Sequence, residues 1–554
     1  MKVTSLLTYR TMEYRDYNYY EENAATINLG EITSSAKNAK ILRRLRDGDA
    51  NLSHLNLDRD REACDNFYIG QGDDLGWLGY FIGRSEHLQH LQICYLPDGE
   101  GGHDAFVEGI ARSQSIQFIG IDNLSNDAFT AIMRALGSLS QLEELTVWGH
   151  NNIGPDGWSE LRTLLESGVC KLKTLCLCRN NYIGNEGMGV LSNGLRGIGS
   201  SFRKLVLANN SIGNEGLSTL VDALQTCTGL ERLELYGNDF SSAVAELDSL
   251  SDWLQGDEVN LKHLGLACCR INDEGLQAFT QGAVNHCTEL NLRGNDSITA
   301  TGLSYLSNSI RSDSCCVETL HLEHIPLGDY GLEVLALGLA DNKSVKSLYL
   351  EDLDNDISVN SAGWLAFSKA LCDTSSVNST YLSNHTICKF RVVGRGGGET
   401  TLHLRLHEEH PQYAARCKIL MKHPHLDMTP FFEWKLKFLP FVVAWFERSK
   451  PCTMMTIYDA NSASRRRVVD ESDESFESRK LTAMYEFIHG IPLEAMKSHN
   501  GLALAAAYDK KIAMIEEENK IALEQRDERY REALEQRDRK IEQLEKEIMM
   551  LRGL

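Results

Sequence analysis

Proline is scarce, 9 residues in 554, which excludes proline-rich linkers and collagen-like segments. Long apolar runs are missing too: the longest, residues 438–446, is about half of the ~20 residues that a membrane span needs. The N-terminal apolar stretch is too short for the core of a secretion signal. Cationic residues are outnumbered, 56 Lys and Arg against 78 Asp and Glu. The resulting net charge of −22 argues against nucleic acid and anionic membranes as partners, since both repel negative charge. Fifteen cysteines contain no C-x-x-C pair, which excludes a zinc ribbon and a thioredoxin-like motif. The expectation is a soluble, cytoplasmic chain with reduced thiols, entry into the nucleus left open.

Signatures of catalysis are absent as well. There is no G-x-S-x-G. The glycine-rich stretch Gly394 to Glu399 lacks the G-K-[ST] that grips phosphate and reads as a turn. His407 and His410 stand at i, i+3 and do not make the H-E-x-x-H of a zinc site. No enzyme activity, cofactor or metal is expected.

What the chain does have is 42% hydrophobic residues, enough to bury a core, arranged in one recurring frame. Leu172, Leu175 and Leu177 precede Asn181, Ile183 and Gly187; Phe202, Leu205 and Leu207 precede Asn210, Ile212 and Gly216. The frame returns at Leu142, Leu230, Leu261, Cys287, Val317 and Val345, and more faintly at Leu52, Leu88, Ile116 and Val377. From Leu57 to Leu382 there are 325 residues in eleven steps, a mean near 29.5. This is the leucine-rich repeat, L-x-x-L-x-L-x-x-N/C-x-L.

The spacing has a physical reading. Leu-x-Leu turns both leucines to one face of a short strand. The polar slot three residues on (Asn210, Asn238, Asn295, with Cys269 as the variant) sits where the chain turns and can bond backbone groups that no sheet satisfies. A glycine then opens a helix whose apolar residues recur at i, i+3 and i+7, as in Leu217, Leu220 and Leu224. No single unit buries its own core, so the units must stack. The predicted fold is α/β: a leucine-rich repeat solenoid (horseshoe) over 41–388 in about 12 repeats, with a parallel inner sheet and outer helices.

The helix-bearing repeat, with N-x-I-G-x-x-G after its strand, resembles the ribonuclease-inhibitor-like class of leucine-rich repeat proteins. That resemblance covers about 52–388 and implies the fold. The class hosts inhibitors, GTPase activators, ubiquitin-ligase adaptors and sensor domains, so it implies no single activity.

Outside the repeats, 1–40 reads as a polar, poorly ordered tail with Tyr9, Tyr14, Tyr17, Tyr19 and Tyr20 crowded together. Residues 389–500 read as an α-rich C-terminal cap. It opens with a hairpin over 390–406, continues into a helix over 413–421 and carries an exposed acidic loop near 462–475. The stretches KILMKHPHLDMTPFFEWKLKFLPFVVAWFERSK and LTAMYEFIHGIP are similar to a segment behind the repeats in uncharacterised repeat proteins of microalgae. Residues 501–554 read as a long charged helix in which ALEQRD recurs after eleven residues. Its narrow seam (Ile512, Leu523, Leu534, Ile541, Leu544, Ile548 and Leu551) predicts a coiled coil and homo-oligomerisation through it.

The outward strand positions are the candidate binding residues. Trp148, Cys176, Cys178, Val206, Ala208 and Tyr236 form a mildly apolar patch over consecutive repeats. Arg293, His321, Glu323, Tyr349 and Glu351 follow, and Glu318, Glu323, Glu351, Asp352, Asp354 and Asp356 make an acidic end. Exposed Trp and Tyr rimmed by charge suit a protein interface. The expected function is a non-enzymatic scaffold that binds a protein on its concave face and is multimerised or tethered by the coil. The alternative is a GTPase-activating protein of the Ran type, which resembles this chain in solenoid and acidity. The chain departs from that type in having only a short acidic stretch near 470–477, followed by a coil, and no motif fixes which arginine would act. Single-turnover GTP hydrolysis with a Ran-type GTPase discriminates the two.

Overall fold

The computed structural model describes residues 15–422, apart from 34, 59–65, 70–73, 98–101, 150–152, 170, 181–182, 199, 352–361, 394–406 and 408–413, together with 454–456 and 465–467. The chain divides into two compact units, 1–295 and 296–554.

The first unit opens with three helices, α1 (Tyr17–Asn23), α2 (Leu29–Ile32) and α3 (Ala36–Arg46). Strands and helices then alternate. The strands are β1 (His54–Asp58), β2 (Asn66–Tyr68), β3 (His90–Ile93), β4 (Phe118–Asp122), β5 (Glu144–Trp148), β6 (Thr174–Cys178), β7 (Lys204–Val206), β8 (Arg232–Glu234), β9 (His263–Gly265) and β10 (Glu289–Asn291). Between them run α4 (Asp74–Arg84), α5 (His103–Arg112), α6 (Asn126–Leu136), α7 (Pro155–Glu166), α8 (Gly184–Gly197), α9 (Asn214–Leu224), α10 (Val244–Leu254) and α11 (Asp273–His286). The strands form one parallel sheet in the order β10-β9-β8-β7-β6-β5-β4-β3-β1-β2.

The register makes the sequence repeat physical. Leu55, Leu91, Ile119, Leu145, Leu175, Leu205, Leu233, Leu264 and Leu290 stand side by side, and none is more than 1% exposed. The helical stripe Leu217, Leu220 and Leu224 is equally buried. Strand leucines and helix leucines thus share one core, and the opposite face of the sheet stays open.

The polar slot behaves as its position requires. Asn210 Nδ2 donates to Leu177 O at 2.7 Å, and Asn238 Nδ2 to Leu207 O and Leu235 O at 2.9 and 2.7 Å. Asn238 Oδ1 accepts from the N–H of Asn210 and of Ile212, both at 3.1 Å. Cys269 fills the same slot with a thiol directed at Leu235 O and Ala267 O. Just after each of β4 to β10 the chain also passes through the left-handed region, at Asn123, Gly149, Arg179, Asn209, Gly237, Cys268 and Gly294. At Gly237 the requirement for glycine is double, because a Cβ there would also lie 2.2 Å from Asn209 Oδ1.

The second unit carries α12 (Ala300–Ile310), β11 (Thr319–His321), α13 (Gly328–Asp341), β12 (Ser347–Glu351), α14 (Ala362–Leu371), α15 (Val377–Leu382), β13 (Lys389–Val393) and α16 (Ala414–Lys422). Its parallel strands run β13-β12-β11, and β14 (Met454–Thr456) pairs antiparallel with β15 (Arg465–Arg467).

Two expectations are corrected. The segment expected to be a loose tail is helical and packed from Tyr17 onward. Tyr20 is 1% exposed, stands edge-on to Trp77 at 5.0 Å, and sits where a Cβ on Gly76 would lie 2.0 Å from its hydroxyl. Its partners lie in a helix more than fifty residues away, which local composition does not reveal. Asn38 on α3 then ties the sheet edge, donating to Tyr68 O at 2.7 Å and to Asp74 Oδ2 at 2.9 Å. Second, 377–382 is α15 and not a strand: Ser376 caps Ser379 N at 3.0 Å, and Val377 and Thr380 are also in helical phase. The described start of the expected hairpin, 389–393, is a parallel strand beside β12 and extends that sheet. The remainder of that predicted hairpin, the acidic loop apart from 465–467, and the whole coiled-coil seam lie outside the described residues.

Candidate functional site

The open face of the first unit's sheet carries three rows of side chains, since positions i, i+2 and i+4 of a strand share one side. The middle row runs Asn56, Gln92, Gly120, Thr146, Cys176, Val206, Glu234, Gly265 and Asn291 in register. The row after it includes Asp122, Trp148 and Cys178. It continues through Ala208, Tyr236, Ala267 and Arg293, held by ladder bonds Arg179 N to Ala208 O, Asn209 N to Tyr236 O, Gly237 N to Ala267 O and Cys268 N to Arg293 O. The row before it was missed by reading outward from Leu-x-Leu. It runs His54, His90, Phe118, Glu144, Thr174, Lys204, Arg232, His263 and Glu289. Strand parity alone gives this row away.

Trp148 is 53% exposed and Tyr236 41%. They stand three strands apart, about 14 Å at a strand spacing near 4.8 Å. Cys178 and Val206 are half-buried between them, and Ala267 is buried beyond Tyr236. Cys176 departs from expectation: at 7% exposure it is floor, a short side chain flanked in register by Thr146 and Val206. Burial pushes the Cys178 thiol up to about 11 and raises Cys176 too, so both stay protonated and apolar at neutral pH. The Cys268 thiol beside Tyr236 raises the phenol above its ordinary value. This stretch presents two aromatic faces over neutral, largely apolar ground.

The charged row is strongly organised. His263 lies between Glu234 Oε1, 2.7 Å from Nε2, and Glu289 Oε2, 2.9 Å from Nδ1. Arg232 Nη2 is 2.8 Å from the same Glu234 oxygen. Arg293, at the far end of the unit, is exposed, with its N–H bonded to Asn291 Oδ1 at 3.1 Å.

In the second unit the predicted residues form a separate group. His321 and Tyr349 stack with centroids 4.4 Å apart and planes 6° from parallel, and Glu323 Oε2 is 3.5 Å from His321 Nδ1. Glu318 is taken up by Lys346 Nζ at 2.6 Å, so the acidic end is less negative than its sequence suggests. The side chain of Glu351 and the residues Asp352, Asp354 and Asp356 lie outside the described set.

Among the described residues no group of His, Cys, Asp and Glu could hold a metal ion, no disulfide joins the described cysteines, and no helix is long and apolar enough to cross a membrane.

Comparison with known proteins agrees with the repeat. A model described as Leucine Rich repeat matches residues 200–221, 259–279 and 285–307. The chain is 26% identical over 313 residues to NACHT, LRR and PYD domains-containing protein 9C of Mus musculus, covering 55% of this chain and 29% of that protein. It is 28% identical over 240 residues to protein 14 of the same series in Mus musculus (43% and 24%). Against protein 12 of Homo sapiens it is 27% identical over 247 residues (42% and 22%). The chain thus spans under a third of the length of these relatives. A solved chain from the complex of Rad7 and Elc1 in yeast is similar at 16% identity and a TM-score of 0.35, with 62% of this chain and 88% of that chain covered.

Proposed function

We propose that this leucine-rich repeat protein is a non-enzymatic interaction scaffold whose open sheet face binds a protein through Trp148 and Tyr236. The observation that carries the reading is the exposure of two large aromatics on one row of the open face. Interface hot spots are enriched in Trp and Tyr set in apolar ground with a polar rim. Here the rim is the charged row of Lys204, Arg232, His263 and Glu289 on the same face. The repeats belong, on this reading, to the ribonuclease-inhibitor-like class, and the unpaired thiols suit a cytoplasmic location.

Replacing both aromatics, Trp148→Ala with Tyr236→Ala, is expected to weaken capture of the bound protein at least about tenfold, given that a hot-spot aromatic is worth ~2 kcal/mol. The melting curve should not move, because both side chains are exposed. Unchanged capture by a folded double variant removes the proposed face. The coil is the second arm of the proposal, resting on the seam in the sequence. Light scattering should give a multiple of the 62.1 kDa chain mass, falling to a monomer when 502–554 is deleted. A full-length monomer ends the oligomeric part alone.

A further inference from the structure

A cluster of ionisable groups on the first unit's open face is centred on His263, and its geometry imposes a condition. The ring is 7% exposed and faces a carboxylate at each nitrogen, Glu234 from β8 and Glu289 from β10. Neither approach is an aligned hydrogen bond, so the contacts act through charge. A neutral imidazole carries one N–H and one lone pair, so it would turn a lone pair towards one of the two anions. Only the imidazolium suits both.

The sequence has made room for this arrangement. Glu234 lies across β9 above Gly265, where a Cβ would come within 1.6 Å of its Oε2. Any side chain at 265 would push the carboxylate off His263. Of the neighbouring charges, Arg232 on β8 holds Glu234, and Lys262, beside His263 in the chain, turns to Glu231 at 3.1 Å. With His263 protonated, two anions and two cations balance. With it neutral, Glu234 and Glu289 both lose the cation that stands between them.

We propose that His263 is a pH-responsive clamp which, when protonated, ties β8 to β10 across β9 and fixes the part of the open face that carries Tyr236. The consequence for binding rests on the function proposed above; the clamp itself does not.

The signs agree with that role. Although burial favours the neutral ring, the two glutamates outweigh it and leave the His263 pKa above the ordinary 6.5. The clamp's contribution is therefore complete below the unfolded imidazole value and is lost as pH rises through the raised folded value. Glu234, despite burial, is held below its ordinary value by His263 and Arg232, so its contribution is lost only when pH falls through that lowered value. The clamp is closed at mildly acidic pH and opens on the alkaline side of the His263 titration.

The test is a titration of the full chain labelled with 13C at histidine Cε1, the His263 signal being assigned by its absence in His263→Gln. The expected midpoint lies above 6.5 and drops by about half a pH unit or more in Glu289→Gln, which removes one anion and keeps the shape. Amide exchange of β8–β10, corrected for its intrinsic pH dependence, should quicken above that midpoint in the wild type and show no such step in His263→Gln. A ring that stays neutral to pH 5.5, or a midpoint indifferent to Glu289→Gln, overturns the proposal. Capture of the bound protein should fall severalfold over the same interval, and pH-independent capture by a protein whose His263 titrates as expected breaks the link to binding. If the Trp148/Tyr236 double variant also leaves capture unchanged, the proposed face fails while the titration still decides the clamp.

Discussion

Asn238→Ala is expected to destabilise the first unit by roughly 4 kcal/mol or more, far beyond an average point substitution. One buried amide serves four backbone groups here: it donates to Leu207 O and Leu235 O and accepts from Asn210 N and Ile212 N. The residue is 3% exposed, so water cannot replace it. Each orphaned buried group costs about 1–3 kcal/mol. Three of the four (Leu207 O, Asn210 N and Ile212 N) belong to the preceding repeat, so the damage spreads beyond the substituted unit. The protein supplies its own control, since Cys269 occupies the equivalent slot with a thiol directed at two carbonyls. Asn238→Cys should therefore recover part of the loss, about 1–2 kcal/mol relative to alanine. Denaturant midpoints of the three proteins measure this. A loss below about 1 kcal/mol for alanine would mean that the slot does not hold the repeats together.

The second large effect is expected at Lys418. Its ammonium is fully buried and meets Leu371 O, Asn384 O at 2.9 Å and His385 Nδ1 at 3.0 Å. These contacts fasten α16 to the end of α14 and to the turn after α15. Lys418→Met keeps the volume and leaves two carbonyls and a ring nitrogen without a donor, which should cost about 3–5 kcal/mol of the second unit's stability. Burial pulls the Lys418 pKa down to about 7, opposed only by the charge of the nearby Cys372 thiolate. Between that value and the 10.5 of the free side chain, the unfolded chain binds a proton that the folded chain does not. Stability should then rise with pH, by at most about 1.4 kcal/mol per unit. The slope should vanish in Lys418→Met. A slope that persists there belongs to other groups and removes Lys418 as its source.

How legible all this was in the sequence depended on how local the cause was. Leu205, Leu233 and Leu264 announce themselves because strand parity and helical phase act within a few residues, and Asn210, Asn238 and Asn295 follow at a fixed offset from them. Residues 377–382 failed because Val377 and Thr380 satisfy the L-x-x-L spacing and a helical phase equally, and the Ser376 cap decided the matter. Tyr20 looked like part of a loose tail because its partners, Trp77 and Gly76, lie in α4. At the candidate site, Trp148 and Tyr236 were readable as outward positions. The burial of Cys176 was not, since it depends on the neighbours that flank it across the sheet. Nor was the Glu234–His263–Glu289 contact, which joins three repeats and requires the side-chain gap at Gly265.

The face itself is tested most directly by placing a photoreactive benzoylphenylalanine at position 148 or 236, and at exposed Glu166 on α7 as the control. Illumination with the bound protein present should give a covalent adduct from 148 and 236 and none from 166. Equal adducts from all three positions, or an adduct from 166 alone, would contradict recognition by the open sheet face.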